Sequence, residues 1–234
     1  MRLLLISNST NAGEAYLEHP MMQIHSFLGS DPVNALFIPY AGVGISFDQY
    51  SERVRERFRG IGHDIIAIHE QGDPINAVEK AKTIVVGGGN TFHLVKFLHD
   101  LRLMETIREK VIAGTPFIGW SAGSNVACPT LRTTNDMPIV EPPSFDTLKL
   151  ISFQINPHYL DANPDGHAGE TREMRIEEFT EANPGIYVVG LREGTMLRIE
   201  DSDIQLLGFK TARIFLKGQE PAELEPGADF SFLL

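Results

Sequence analysis

The chain has 234 residues, 42% of them hydrophobic, enough to build a sizeable core in one compact domain spanning residues 1–234. Lys and Arg number 20 against 31 Asp and Glu, and the formal charge of -11 argues against a nucleic-acid surface and for a small-molecule partner. A single cysteine, Cys128, excludes an internal disulfide and suits a reducing cytoplasm, and no apolar run approaches the roughly 18 to 20 residues of a membrane helix.

The opening Met1-Arg2-Leu3-Leu4-Leu5-Ile6 stops being apolar too soon for a secretory signal, since Ser7-Asn8-Ser9-Thr10 follow, so it reads as the first strand. A helix over 21–28 and a buried strand over 35–39 come next. Ser46 and Gln49 make a capping-box pair, opening a helix with Phe47, Tyr50, Val54 and Phe58 on one stripe that Gly60 and Gly62 end. Strands over 64–68 and 83–86 flank a short polar helix over 75–82. Gly87-Gly88-Gly89-Asn90 then opens onto a helix carrying Phe92, Val95 and Leu98. A further helix over 104–113 sets Met104, Ile107 and Val111 on one stripe, with Gly114 at its C-terminal cap, and leads to a buried strand over 116–120. This alternation predicts an α/β fold, a three-layer doubly wound domain with a mostly parallel sheet, in which ligands bind beyond the carboxyl ends of the strands.

Residues 128–143 form a long irregular stretch of the kind that is often functional. Residues 151–155 alternate as a strand that Pro157 ends, leaving His158 just past it. Thr171 caps a helix over 172–182, and 187–189 is a strand. From Thr195 onward, short alternating runs over 196–199, 204–207 and 212–216 predict a small C-terminal antiparallel annex. No internal repeat, low-complexity tract or interdomain linker interrupts the chain.

Gly119-Trp120-Ser121-Ala122-Gly123 fits the G-x-S-x-G nucleophile elbow. There a strand turns sharply into a helix, the serine oxygen stands exposed, and the next N–H, here that of Ala122, can face an oxyanion. So short a pattern also arises by chance, but the preceding helix and strand are the context it requires. A serine nucleophile needs a base, and a carboxylate to orient that base. Of eight histidines, His158 is best placed, on the same rim as Ser121. His25, His93 and His99 fall in predicted helices, where a packed or solvated imidazole is the ordinary reading, and His167, in a loop, competes with His158. Glu193, just beyond the 187–189 strand, is the candidate acid; Asp136 is its rival, whose ordinary reading is a turn aspartate. The order serine, histidine, acid differs from that of α/β-hydrolases and points to another doubly wound fold.

The 87–89 glycine loop lacks both the G-x-G-x-x-G spacing and a Walker lysine. An oxyanion role, with Gly88 or Gly89 donating beside Ala122, is therefore preferred to a phosphate cradle, and a tight structural turn is the plain alternative. Arg172 and Arg175 share a stripe with Ile176 and Phe179, so each needs an internal carboxylate or a substrate carboxylate held bidentately. His158, Asp161, Asp165, His167 and Glu170 form a cluster able to ligate zinc or manganese, but no H-E-x-x-H helix accompanies it, and chemistry without a metal or cofactor is preferred.

Five blocks closely resemble the peptidase E family of α-aspartyl dipeptidases: Gly87-Gly88-Gly89-Asn90-Thr91-Phe92, Ile118-Gly119-Trp120-Ser121-Ala122-Gly123, the stretch from Arg132 to Val140 that contains Asn135-Asp136-Met137-Pro138, Gln154-Ile155-Asn156-Pro157-His158, and Gly169-Glu170-Thr171-Arg172-Glu173. The resemblance extends from the first strand to about Gly194. It implies a class I glutamine amidotransferase-like, flavodoxin-like fold and a serine exopeptidase acting through an acyl-enzyme on short peptides with an unblocked N-terminal aspartate. Under it Ser121 is the nucleophile, His158 the base and Glu193 the acid, with Asp136 still the alternative. Arg172 suits the substrate aspartate, and Glu170 is a candidate for its free amine. The chain departs from the family's pattern at Ser124, where Asn or Ala is expected, and at Arg192, where Pro is expected. The neighbouring readings are a cyanophycinase-like or other aspartyl-amide hydrolase and, from another class, a non-catalytic nucleotide- or flavin-binding module. A homodimer is left open, since no stripe announces an interface.

Overall fold

The computed structural model describes residues 1–163, 166 and 168–234, so Asp165 and His167 lie outside the described residues. Strands β1 (Arg2–Ile6), β2 (Asn34–Ile38), β3 (Asp64–Ala67), β4 (Ile84–Val86) and β5 (Phe117–Trp120) pair in parallel in the order β3-β2-β4-β5-β1. Parallel strands need crossover connections and are covered on both faces, which is why these segments read as unbroken apolar runs. Along β1, Leu3 and Leu5 face one layer while Leu4 and Ile6 face the other. The first layer holds α3 (Pro74–Lys80), α4 (Thr91–Asp100) and α5 (Leu103–Ile112) through Val78, Leu94, Leu98, Ile107 and Val111. The second holds α1 (Met21–Leu28) and α2 (Phe47–Arg59) through Ile24, Phe27, Tyr50, Val54 and Phe58. This is the three-layer, mostly parallel arrangement expected from the sequence.

Local chemistry sets the helix ends. Ser46 Oγ accepts from Gln49 N at 3.1 Å and Gln49 Oε1 from Ser46 N at 3.4 Å, the reciprocal capping box that starts α2. Asp73 caps α3 with Pro74 at its first position, Asn90 caps α4, and Thr171 caps α7 (Arg172–Ala182). In α5, which starts at Leu103, that residue joins Ile107 and Val111 in the buried stripe, and Met104 packs half-buried against the same core.

The C-terminal strands are antiparallel, as expected, but they are divided between two sheets. β8 (Met196–Glu200) and β9 (Asp203–Leu207) extend the main sheet beyond β1. β6 (Gln154–Tyr159), β7 (Val188–Arg192), β10 (Ala212–Phe215) and β11 (Ala222–Leu224) form a second sheet in the order β11-β10-β7-β6. β1 and β7 each offer an open edge of unpaired N–H and C=O groups, and each captures its own partner. Pro157 does not end its strand, and His158 lies inside β6 rather than past it. β6 is an edge strand, where a missing N–H need not cost a ladder bond, and its register shifts between Pro157 and Tyr159. One apolar cluster runs through both sheets, joining Ile155, Val189 and Ile214 to Leu3 and Phe117. Among the described residues, no helix is long and apolar enough to cross a membrane.

An ionic network ties the second sheet to α7. Arg192, its side chain 11% exposed, donates to Asp161 Oδ2 at 3.0 Å and to both oxygens of Glu223 at 2.8 and 2.9 Å. Arg213 links Glu223 to Glu173 at 2.9 Å each. Hydrogen bonding to Arg192 holds the Glu223 carboxyl down to about 2 from an ordinary 4.5. Its stabilisation is therefore present above pH 4.5 and lost as the pH falls toward 2. Because Glu223 is 38% exposed, solvent screening limits the effect to about 1 kcal/mol. Urea unfolding should show a smaller loss of stability between about pH 6 and about pH 3 in Glu223→Gln than in the wild type.

Candidate active site

β5 ends at Trp120, and the chain turns at Ser121 into a single helical turn, α6 (Ala122–Asn125). The turn places Ser121 at φ 54°, ψ -112°, a region that residues with a side chain seldom occupy. A Cβ on Gly119 would collide with the Gly123 carbonyl, and one on Gly123 with the Val86 carbonyl, so only glycine lets strand, turn and helix pack this closely. Ser124 Oγ lies 2.8 Å from Ile6 O and 2.9 Å from Gly119 O, so its one proton is shared between β1 and β5 at the elbow.

The bulge in β6 puts His158 at φ 53°. Its N–H donates to Ser7 Oγ at 3.0 Å, and Ser7 Oγ donates to Leu191 O at 2.7 Å, so the end of β1 fastens β6 to β7. The imidazole then lies with Nε2 2.9 Å from Ser121 Oγ and Nδ1 2.7 Å from Glu193 Oε1. With Nδ1–H donated to the carboxylate, Nε2 is left to accept the serine proton. Glu193 sits in the turn after β7, where Gly194 takes φ 85° and donates its N–H to Asn8 Oδ1 at 2.8 Å. Ser7 and Asn8 escaped the sequence reading. Their signal is a polar pair at the carboxyl end of a central strand, where such folds keep their sites.

Asp136 goes elsewhere. Its Oδ2 accepts from Thr91 N at 2.7 Å, Thr91 Oγ1 at 2.6 Å and Thr134 Oγ1 at 3.0 Å, fastening its loop to the start of α4. His93 and His99 meet the backbone carbonyls of Tyr40 and Asp146, and His25 packs against His63. Cys128 is buried, with its thiol pushed up to about 12 by burial, in keeping with a packed residue.

The glycine loop lies against the serine. A Cβ on Gly88 would come within 3.0 Å of Ser121 Cβ, and one on Gly89, at φ 139°, would strike the Ala41 carbonyl. Tyr50 Oη donates to Gly88 O at 2.9 Å and accepts from Trp120 Nε1 at 3.2 Å. Burial pushes the Tyr50 hydroxyl above its ordinary pKa and so keeps this donor protonated. A trans peptide points its carbonyl and N–H oppositely, so the bond turns the Gly89 N–H away from Tyr50. Among the described residues, the N–H groups of Gly88, Gly89 and Ala122 donate to no protein acceptor. They offer hydrogen bonds to an anion formed at Ser121.

Arg172, half-buried at the start of α7, donates to Asn135 Oδ1. Asn135 is itself held by Asn156 Nδ2 at 2.8 Å and by its own bond to Pro157 O at 2.7 Å. Burial, and then Arg175, push Arg172 below its ordinary pKa, and among the described residues it has no carboxylate in ion-pair contact. The expected stripe fails at Arg175, which is exposed and 3.5 Å from the Glu170 carboxylate. The metal-ligand cluster does not gather among its described members, since His158 meets Ser121 and Glu193, Asp161 meets Arg192, and Glu170 meets Arg175. Among the described residues, the three such groups close enough together to share one metal ion are those of Asp48, His69 and Glu70, outside the cleft. That cleft, of about 660 Å³, is lined by Ser121, His158, Gly88, Gly89, Asp136 and Arg53 among others.

Asp136→Ala should cost about 1–2 kcal/mol by freeing the α4 donors, whereas Glu193→Gln should leave stability near wild type. Paired thermal unfolding checks this, and an equal fall in both variants would contradict it.

A family model described as Peptidase family S51 matches residues 3–207. The chain is 54% identical over 233 residues to a Peptidase E of Nostoc sp. (strain PCC 7120 / SAG 25.82 / UTEX 2576), covering 100% of this chain and 96% of that relative. It is 48% identical over 235 residues to a Peptidase E of Streptomyces coelicolor (strain ATCC BAA-471 / A3(2) / M145), covering 100% of this chain and 95% of that one. The solved structure of a protein from Listeria monocytogenes EGD-e matches with a TM-score of 0.67 over 89% of this chain and 98% of its own, at 23% identity, a likeness of fold.

Proposed function

The chain belongs to peptidase family S51, and on that premise we propose that it cleaves the bond after an unblocked N-terminal aspartate, with Ser121, His158 and Glu193 as its catalytic triad. The observation that carries this reading is the continuous contact from Ser121 Oγ through the His158 ring to Glu193, at 2.9 and 2.7 Å. Ser121 Oγ attacks the aspartyl carbonyl carbon while His158 Nε2 takes its proton. The resulting oxyanion accepts from the N–H groups of Ala122 and of Gly88 or Gly89, which have no other acceptor among the described residues. Collapse breaks the C–N bond, and His158 returns its proton to the leaving amine. Water, giving a proton to His158, then attacks the ester carbonyl, releasing aspartate and restoring the serine. Glu193 holds the ring in its tautomer and stabilises the imidazolium form.

Arg172 grips the aspartate side chain. A half-buried guanidinium with no carboxylate in ion-pair contact among the described residues, oriented by Asn135, supports this role. Glu170, exposed beside Arg175, receives the free α-amine. The 1–234 chain acts as one domain, a reading supported by the apolar cluster common to both sheets. A single buried cysteine accords with a cytoplasmic location.

Hydrolysis of an aspartyl anilide, beside its leucyl and asparaginyl counterparts, tests the proposal. The aspartyl compound should be cleaved far faster than the other two, with no effect of a chelator, and Ser121→Ala should remove nearly all turnover, on the order of 10⁶-fold. Retained turnover in Ser121→Ala would sink the serine mechanism. Arg172→Ala should reduce aspartyl hydrolysis far more than that of any poorer substrate, and equal losses on all substrates would make it a structural arginine.

A further inference from the structure

A dipeptide that begins with aspartate carries two carboxylates, one on the side chain and one at its C-terminus. The proposed reading supplies a cation for the first in Arg172. Among the described residues lining the cleft, Arg53 is the one permanent cation. Arg53 lies in α2, where Arg55 and Arg59 are engaged with Glu52, Asp64 and Glu70. Among the described residues Arg53 has no such partner, although the chain carries 31 acidic residues.

Its position is nonetheless held. The Arg53 guanidinium lies 3.9 Å from the centroid of the Tyr16 ring. Tyr16 Oη is 3.4 Å from Tyr50 Oη, which bonds Gly88 O at 2.9 Å. One run of contacts therefore leads from Arg53 to the peptide beside Ser121. Stacking on an aromatic face leaves the edge of the fork free and lowers the entropy lost when it binds a carboxylate. Val43, Ile45 and Ile139 line the same cleft, with Val43 55% and Ile139 49% exposed, so apolar surface is open next to this cation.

We propose that Arg53 binds the C-terminal carboxylate of the leaving residue and so selects dipeptides with a free C-terminus. This assignment rests on the aspartyl-peptidase reading of the same cleft. A charge-assisted bond made equally in the ground and transition states acts on KM rather than kcat. Arg53 is exposed to solvent, so the contact should weaken with salt.

The test compares aspartyl-leucine with aspartyl-leucinamide, the same scissile bond with and without the carboxylate, in wild type and Arg53→Met at low and high salt. Methionine keeps an unbranched stem over Tyr16 and removes the charge. Wild type should favour the acid by about tenfold in kcat/KM, mostly through KM and less at high salt. In Arg53→Met that ratio should fall to near one. A ratio unchanged by the substitution, or a wild type indifferent to the carboxylate, overturns the proposal while leaving the aspartyl reading standing. Equal loss on both substrates overturns it as well, since Arg53 would then act through Tyr16 and Tyr50 on the Gly88 peptide. If wild type cleaves neither compound, the aspartyl reading falls and this assignment with it.

Discussion

The site depends on one backbone constraint, Ser121 held at φ 54° and ψ -112°, a strain of roughly 1–3 kcal/mol for a residue with a side chain. β5 is paired on both sides, with β1 and β4, so the strand cannot shift to relieve it. Gly119 and Gly123 permit the close backbone approach that makes the turn. Trp120, stacked on Phe37 at 5.9 Å and bonded to Tyr50, fixes the residue before it. The hydroxyl consequently projects from the carboxyl edge of the sheet, with N–H groups on both the elbow and the glycine loop that are unpaired among the described residues.

The partners of that hydroxyl come from the other sheet. Ser121 follows β5, whereas His158 and Glu193 belong to β6 and to the turn after β7. Their mutual distances therefore depend on how the two sheets dock. Ser7 and Asn8 make the join, one through the His158 N–H and the Leu191 carbonyl, the other through the Gly194 N–H. The shared apolar cluster supplies the stability behind it. Polar residues at the end of a central strand thus set the geometry of a serine peptidase without contacting the hydroxyl themselves.

Much of this is legible in the sequence because its causes are local. Burial on both faces makes Leu3 to Ile6 and Ala35 to Ile38 continuous apolar runs, and the Ser46–Gln49 box writes the start of α2 in two residues. The elbow is legible because Gly119, Ser121 and Gly123 fall within five positions and Gly119 answers to Gly123 itself, although Gly123 answers to the Val86 carbonyl on a neighbouring strand. What escapes is set at long range. Asp136 and Glu193 both look like turn acids. They are told apart only by Thr91, which takes up Asp136, and by a bulge in β6 that leaves no periodic mark. Tyr50 reads as part of an apolar stripe, and it is buried as one, yet its hydroxyl meets a glycine 38 residues away. The division of the C-terminal strands between two sheets likewise depends on which open edges exist after folding.

The most direct measurement is acid-quenched mass spectrometry of the intact protein during turnover of an activated aspartyl ester, followed by peptide mapping. A covalent aspartyl adduct on Ser121 that forms in the first turnover and accumulates in Glu193→Gln is the predicted result. Steady hydrolysis with no adduct on Ser121 at any quench time, in either protein, would contradict the acyl-serine mechanism.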